Sequence, residues 1–304
     1  MTGLRKELTD LIRPHLEGKK LSKALVDAID ALLDRAGVPR DDAPPAAAPA
    51  PVAAPAPAPA APPKPAIAPA RAAAGKPPPA KLDVAGLLAW LGLPDAAGFD
   101  AAATQALFAC LSNKKAPALT DADFAAVAAE LGVSPKLIRA VNKVEAPRGA
   151  FDTLGRPSIL YEKHVFARNT GGRYNASHPV LSASKWQPGS YGPFSAQYGK
   201  LAQACALDPD AAFKACSWGA FQVLGENAVD IGYESAFEMA LALTVSEAAH
   251  LDSFVRFVRS KKLVKQLQAC KPGDPASCIS FVKGYNGAGY ARNNYHINLA
   301  RAAR

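Results

Sequence analysis

The sequence predicts a mainly α-helical protein with one small β-hairpin, preceded by a short helical module on an Ala/Pro-rich linker. The clearest helical signal is the apolar face formed by Leu137, Ile138, Val141 and Val144, whose spacing is that of one side of a helix. The clearest strand signal lies within residues 151–161, where apolar residues flank a Gly-Arg-Pro turn. The linker offers no side chains from which a core could form.

These patterns divide the chain into four segments. Residues 1–41 carry two amphipathic stripes and are predicted to form a small helical module, which is too short to bury much surface and is expected to self-associate or pair with another surface. Residues 42–81 are predicted to be an extended, semi-rigid spacer that reaches on the order of 100 Å. Residues 82–118 return to helical patterning, and residues 119–304 are predicted to form one mostly helical domain.

One carboxylate stands at the end of the apolar helix. Ser134 is suited to cap this helix and Pro135 to open it, while Pro147 and Gly149 end it just after Glu145. The negative end of the helix dipole and the apolar surroundings both disfavour an ionised carboxylate, so the pKa of Glu145 is expected to be raised. A raised pKa suits a general acid near neutral pH; the alternative is a surface glutamate that only ends a helix.

Charge and composition limit the partners and cofactors. The formal net charge of +9 favours an anionic partner, but the basic residues are scattered and match no nucleic-acid-binding motif, so no nucleic acid is expected. No stretch is long and apolar enough for stable membrane insertion. The histidines do not follow the spacing of a metal site, and neither a metal nor another cofactor is predicted.

The five cysteines include no Cys-x-x-Cys pair, which argues against a zinc site. Cys205 with Cys216, and Cys270 with Cys278, could each close a short loop through a disulfide bond in an oxidising compartment. Buried free thiols are the alternative, and the sequence leaves both open.

Four segments occur in the order found in lysozyme-like glycosidases and lytic transglycosylases. They are the helix-terminal Glu145, the hairpin with its acidic exit at 151–164, the stretch Ser217-Trp218-Gly219-Ala220-Phe221-Gln222-Val223-Leu224-Gly225, and the turn Gly284-Tyr285-Asn286-Gly287. Together they closely resemble the N-acetylmuramidase family found at the C-termini of modular endolysins, over roughly residues 119–304.

The resemblance implies a lysozyme-like catalytic domain that hydrolyses the β-1,4 bond between N-acetylmuramic acid and N-acetylglucosamine, with bacterial peptidoglycan as the partner and cell-wall lysis as the result. It places the catalytic acid on Glu145. One departure is that the family usually follows this acid with small residues, whereas Ala146-Pro147-Arg148-Gly149 is bulkier and basic.

Glycoside hydrolysis also needs a second group that assists water or holds the developing cation. Glu162 is the main candidate, because it leaves an apolar strand-like run and is expected to face the cleft. The alternative is a helix-start glutamate that pairs with Lys163 or Arg168. Asp152 on the hairpin is a further candidate for the same role.

The predicted substrate-binding residues are polar or aromatic residues of the same segments, namely Tyr161, Ser217, Gln222, Tyr285 and Asn286. Ser217 and Gln222 are expected to bind acetamido groups or position the cleft wall, with a helix-cap role as the alternative for Ser217. The glycines around Tyr285 and Asn286 would let the backbone approach a sugar closely, although Tyr285 could equally serve packing.

Two alternatives to hydrolysis remain at this point. A lytic transglycosylase would use the single glutamate as acid and then base and give 1,6-anhydro products, and an inactive module would only bind the wall. For residues 82–118 there are likewise two interpretations, a helical lead-in packed on the next domain or a degenerate peptidoglycan-binding module, which Leu91-Gly92-Leu93-Pro94-Asp95 faintly resembles.

The N-terminal residues lack the continuous apolar core and cleavage site of a secretory signal. The sequence therefore predicts synthesis in the cytoplasm without a signal peptide and action on the cell wall, in the periplasm, after release or delivery. A phage endolysin and an effector delivered by a secretion machine both fit this expectation.

Overall fold

The computed structural model describes residues 77–79, 82–147, 149–185 and 191–304, which all belong to one compact unit between Pro65 and Arg304. This part of the chain is mainly helical, as the sequence predicts. The predicted module at 1–41 and nearly all of the predicted linker at 42–81 lie outside the described residues.

The helices are short and follow one another closely along the chain. Within the described residues the α-helices, named α1 to α12 in chain order, are Val84–Trp90, Ala101–Cys110, Asp121–Leu131, Pro135–Glu145, Lys163–Asn169, Gln197–Cys205, Pro209–Lys214, Ala236–Leu243, Glu247–Ser260, Val264–Gln268, Pro275–Asn286 and Tyr295–Ala302. Short 3-10 helices lie between them at Phe194–Ala196, Gly219–Phe221, Gly225–Asn227, Val229–Ile231 and Ala288–Ala291.

Helices α3 and α4 have well-defined ends, and α4 begins and ends where the sequence predicts. Thr120 caps α3 and forms a capping box with Asp123, and Gly132 ends the helix in the left-handed conformation. Ser134 caps α4 by accepting a hydrogen bond from the N–H of Leu137, and a proline occupies the first position. The last residue of α4 is the predicted carboxylate, Glu145.

The strands of the described residues form one antiparallel sheet in the order β1 (Ile159–Tyr161), β2 (Cys216–Trp218) and β3 (Val223–Leu224). The predicted hairpin turn is present and is closed by an antiparallel bridge between Phe151 and Pro157. The strand that follows this turn pairs with β2, so the sheet is larger than the predicted hairpin and joins distant parts of the chain.

The helices of residues 82–118 share their core with the rest of the compact unit. Leu87 and Leu107 are fully buried in the same apolar cluster as the later helices, and the ring of Trp90 meets Phe237 edge to face at 4.9 Å. Asn113 adds polar contacts, because its N–H donates to the carbonyl of Gly155 at 2.8 Å. These contacts join α1 to α8 and the segment after α2 to the hairpin turn.

Among the described helices, none has both the length and the apolarity that crossing a bilayer requires. The same part of the chain contains no cluster of three side chains suited to hold a metal ion. All five cysteines are free thiols in this structure.

Candidate active site

Glu145 is the last residue of α4, where the final carbonyl groups of the helix have no intrahelical partners. The side chain is partly buried, and the removal of its carboxyl group from water raises the pKa of Glu145 from 4.5 to about 7. Near neutral pH a substantial fraction of this carboxyl group therefore carries a proton. Such a group can act as a general acid.

Helix α11 supplies the polar contact to this acid. Asn286, its last residue, donates from Nδ2 to Oε1 of Glu145 at 3.0 Å. Because this bond favours the ionised form, it lowers the pKa of Glu145 and opposes the larger effect of burial. The preceding Tyr285 packs against aromatic rings, and its hydroxyl donates to the carbonyl of Phe221 at 2.6 Å. Tyr285 and Asn286, which the sequence predicts to lie in a turn, are instead the last two residues of α11. Asn286 contacts Glu145, and Tyr285 contacts the neighbouring turn at Phe221.

The neighbouring turn, Gly219–Phe221, rests on a buried histidine. The N–H of Ala220 donates to Nδ1 of His250 at 2.9 Å, and Nε2 of the same ring donates to the carbonyl of Leu243 at 2.6 Å. Burial lowers the pKa of His250 to about 4, so the neutral ring makes both bonds. Gly219 has φ +70°, and a Cβ there would lie 2.4 Å from Nδ1 of His250. The close approach of ring and backbone therefore requires glycine.

Gln222 follows this turn in the left-handed conformation, with φ +48°, which is uncommon for a residue other than glycine. Its Nε2 donates to the carbonyl of Gly219 at 2.9 Å and lies 3.4 Å from the carbonyl oxygen of Ser158. Both contacts use the amide nitrogen. The side-chain oxygen remains the atom through which Gln222 can accept a hydrogen bond from a ligand.

Glu162 stands between β1 and α5, at the N-cap position of α5, but its side chain does not cap the helix. Instead, its carboxylate accepts a hydrogen bond from Oγ of Ser217 at 3.0 Å. The hydroxyl of Tyr191 lies 3.4 Å from Oε2 of Glu162, and Nε2 of His164 lies 3.5 Å from the same oxygen. These contacts fix the orientation of a carboxylate whose side chain is 18% exposed.

Two predicted substrate-binding residues have their hydroxyls occupied inside the protein. Tyr161 is 1% exposed, and its hydroxyl donates to the carbonyl of Leu181 at 3.0 Å. Ser217 is 7% exposed, and its hydroxyl donates to Glu162, so it positions that carboxylate. Both residues lie in strands, whose inward positions the sequence does not distinguish from cleft positions.

The rival assignments for the second carboxylate also have other partners. Asp152 accepts hydrogen bonds from the N–H of Arg156 and pairs with its guanidinium at 2.6 Å, so it stabilises the hairpin turn. Arg168, the predicted alternative partner of Glu162, forms its ion pair with Glu226.

Sequence reasoning missed Tyr295, the first residue of α12. Burial is the main reason why the pKa of Tyr295 is raised to about 12, and the negative charges of Glu145 and, to a smaller extent, Glu162 raise it further. The side chain is only partly buried. Tyr295 therefore lies in a region that both carboxylates influence. The signal that could have found it is the polar and aromatic run Asn293-Asn294-Tyr295-His296, which follows the glycine-rich turn.

Glycoside hydrolysis near neutral pH requires an acid that still holds its proton, and Glu145 meets this requirement on a mainly helical fold with a small antiparallel sheet. Fold and site together define a glycoside hydrolase of the lysozyme-like class.

Comparison with known proteins narrows this class. The family model described as Muramidase, N-acetylmuramidase, matches residues 134–304. Among solved structures, the crystal structure of Burkholderia AP3 phage endolysin is similar, with a TM-score of 0.54 and 32% sequence identity over 72% of this chain and 92% of that chain. No match was found among curated proteins.

The chain belongs to the N-acetylmuramidase family. It is a peptidoglycan hydrolase of the muramidase type that acts on the cell wall, as the sequence predicts. The comparisons give no support to a lytic transglycosylase or to an inactive wall-binding module.

Proposed function

We propose that Glu145 is the general acid with which this protein cleaves the β-1,4 bond between N-acetylmuramic acid and N-acetylglucosamine. The observation that carries the proposal is a largely buried carboxyl group with a pKa of about 7, one oxygen of which is held by Asn286. Burial keeps the proton on a substantial fraction of this group near neutral pH, and the hydrogen bond fixes the direction in which the group points.

In the proposed reaction the proton of Glu145 passes to the glycosidic oxygen while the bond from this oxygen to C1 of N-acetylmuramic acid breaks. The leaving N-acetylglucosamine unit keeps that proton as its 4-hydroxyl. Water supplies the new hydroxyl at C1, and the proton that this water releases returns to Glu145, by way of Glu162 or solvent, and restores the acid. The products are two shorter glycan chains, one with a reducing N-acetylmuramic acid end.

Glu162 is the second carboxylate in this proposal. It stabilises the positive charge that develops at C1, or accepts the proton of the attacking water, and either role requires an oriented carboxylate. Its hydrogen bond from Ser217 at 3.0 Å and the nearby Tyr191 hydroxyl fix this orientation. Ser217 is a positioning residue, since it acts through Glu162.

Gln222 and Asn286 are the residues that we propose to bind the substrate. The side-chain oxygen of Gln222 suits the N–H of an acetamido group, and the second Nδ2 hydrogen of Asn286 suits a sugar oxygen beside the acid. Tyr285 contributes through its bond to Phe221, which holds the turn that carries Gln222.

The test is digestion of purified peptidoglycan by the wild-type protein and the Glu145→Gln variant, with the new glycan ends identified by mass spectrometry. Glutamine keeps the shape of the side chain but has no proton of suitable acidity, so lysis should fall by a factor on the order of 100 or more. Reducing N-acetylmuramic acid ends are expected from the wild type alone. Undiminished lysis by the variant would refute the role of Glu145, and anhydro ends would indicate a transglycosylase.

A matched pair of variants tests the second carboxylate. Glu162→Gln should lower kcat strongly, because the charge that stabilises the transition state is removed. Glu226→Gln removes a carboxylate of similar size that is engaged with Arg168, and it should leave kcat nearly unchanged. Equal activity of the two variants would contradict the proposed role of Glu162.

We further propose that residues 82–118 are a helical lead-in of the catalytic domain at 119–304. The burial of Leu87 and Leu107 in the shared core and the contact between Trp90 and Phe237 support this interpretation over a separate peptidoglycan-binding module. The helical module at 1–41, its self-association and the linker at 42–81 remain predictions from the sequence.

The proposed setting is that of an endolysin or a delivered lytic effector, made in the cytoplasm and brought to the peptidoglycan by release or delivery. The similar solved structure is described as a phage endolysin. The net charge of +9 would draw the protein to anionic wall and envelope polymers, and this attraction should weaken as salt concentration rises.

A further inference from the structure

Cys270 and Cys278 lie side by side where the chain passes from α10 into α11. Their thiols are close enough for each to shift the pKa of the other, and both side chains are shielded from water, with 7% of Cys270 and none of Cys278 exposed. This pair plays no part in the proposed hydrolysis.

The short turn between the two cysteines is itself folded tightly. Lys271 and Asp274 form an antiparallel bridge, and the N–H of Lys271 donates to Oγ of Ser277 at 2.8 Å. Because Lys271 follows one cysteine and Ser277 precedes the other, this bond brings the two cysteine backbones close together. A disulfide needs such proximity, since its sulfur atoms must approach to about 2 Å.

The surroundings of Cys278 also favour thiol exchange. The hydrogen bond from Cys270 is the main cause that lowers the pKa of Cys278, and Oγ of Ser277 lies 3.8 Å from its sulfur. Burial instead raises the pKa of Cys110, Cys205 and Cys216. Since the thiolate is the attacking species, Cys278 is the described cysteine best prepared to react.

We propose that Cys270 and Cys278 form a disulfide bond when the protein reaches an oxidising compartment and meets a small-molecule or protein disulfide. The Cys278 thiolate attacks one sulfur of the donor and expels the other as a thiol, which gives a mixed disulfide. Cys270 then loses its proton and attacks the sulfur of Cys278, and the second donor thiol leaves. The protein dithiol is oxidised by two electrons, and the donor disulfide is reduced to two thiols.

The bond would tie the end of α10 to the first turn of α11. Entry of the donor requires opening of the turn at Lys271–Asp274, whose residues are largely exposed. The same helix ends at Asn286, so the proposed bond would anchor the first turn of the helix whose last residue holds Glu145. The inference does not depend on the proposed catalytic roles.

In the experiment, the full-length protein is incubated with glutathione disulfide or with a reducing agent. It is then unfolded in denaturant, its free thiols are alkylated with iodoacetamide, and the protein is digested with trypsin. Trypsin does not cleave before proline, so the Lys271–Pro272 bond survives and both cysteines lie on one peptide of residues 266–283. After oxidation this peptide should be unalkylated and two hydrogens lighter than the dithiol form. After reduction it should carry two alkyl groups.

Thermal unfolding gives the second readout. The oxidised wild type should unfold at a temperature on the order of 5 °C higher than the reduced wild type. Cys278→Ala and Cys270→Ser should each abolish this difference, and Cys110→Ser, at a partly exposed cysteine elsewhere in the fold, should keep it. Full alkylation of the peptide after oxidation, a single glutathione adduct, or a shift that persists in both paired variants would overturn the inference.

Discussion

At the scale of single residues, two opposing influences set the proton affinity of Glu145. Burial raises its pKa and the hydrogen bond from Asn286 lowers it, with burial the larger effect and a resulting pKa of about 7. A buried acid with no such contact would hold its proton more tightly and would point less reproducibly at the substrate. Asn286 therefore affects both the pKa and the orientation of the Glu145 carboxyl group.

Replacement of Asn286 should separate these two effects. In Asn286→Ala the pKa of Glu145 should rise, so the alkaline limb of the pH profile of kcat/KM should move to higher pH. Loss of orientation should lower kcat at the optimum by a factor on the order of ten.

The control for this measurement is Asn298→Ala. Asn298 is an exposed amide on α12 that donates to the carbonyl of Asn293. Its replacement should change neither the pH profile nor kcat. A loss of activity in Asn286→Ala without any displacement of the alkaline limb would contradict the influence of Asn286 on the pKa of Glu145.

The sequence predicts the role of a residue when that role depends on neighbours in the chain, and not when it depends on contacts with distant segments. Glu145 could be found because Ser134 and Pro135 begin its helix and the end of that helix determines its environment. The role of Ser217 could not, because it depends on a contact with Glu162 across the ladder between β1 and β2. Local patterns do not specify which distant strand a segment will meet.

At the scale of elements, the turn Gly219–Phe221 shows how contacts from other helices fix the backbone next to the candidate active site. Its backbone donates a hydrogen bond to the neutral ring of His250 and accepts one from the hydroxyl of Tyr285. No element-level pattern in the sequence predicts this turn, because its partners come from α9 and α11. Helix α4, by contrast, was predictable from its capping residues and has the predicted ends.

Two glycine replacements test how strongly this turn is constrained. Gly219→Ala places a Cβ 2.4 Å from Nδ1 of His250 at a positive φ, so it should lower the free energy of unfolding by on the order of 3 kcal/mol. Gly199→Ala, inside α6 with open space around it, should raise that free energy by about 0.5–1 kcal/mol. Urea denaturation measures both, and equal effects of the two replacements would show that the turn tolerates a side chain.

At the scale of the whole molecule, the described residues from 82 to 304 share one apolar core. The sequence left open whether 82–118 is a lead-in or a separate module, because amphipathic helices do not reveal which surface they cover. The burial of Leu87, Leu107 and Leu111 supplies that information. Full burial of each such side chain is worth about 1.5–3 kcal/mol, so together they represent a large part of the stability of a typical domain.

Truncation tests this shared core. A chain that begins at residue 119 should lose its cooperative thermal transition and its lytic activity, because the partners of Leu87 and Trp90 would become exposed. A chain that begins at residue 77 keeps the contact between Trp90 and the carbonyl of Pro77 and should unfold at the temperature of the full-length protein. A chain from residue 119 that keeps its transition temperature would show that 82–118 is dispensable.

The left-handed backbone of Gln222 sets backbone strain against a side-chain hydrogen bond. At φ +48° glutamine is less favourable than glycine or asparagine, so glycine should relax the backbone at this position. Glycine would also delete the amide that donates to the carbonyl of Gly219, which closes the turn Gly219–Phe221 from its far end. The turn is therefore held by a residue whose backbone alone would prefer another conformation, so its shape depends on a side chain and not only on local backbone preference.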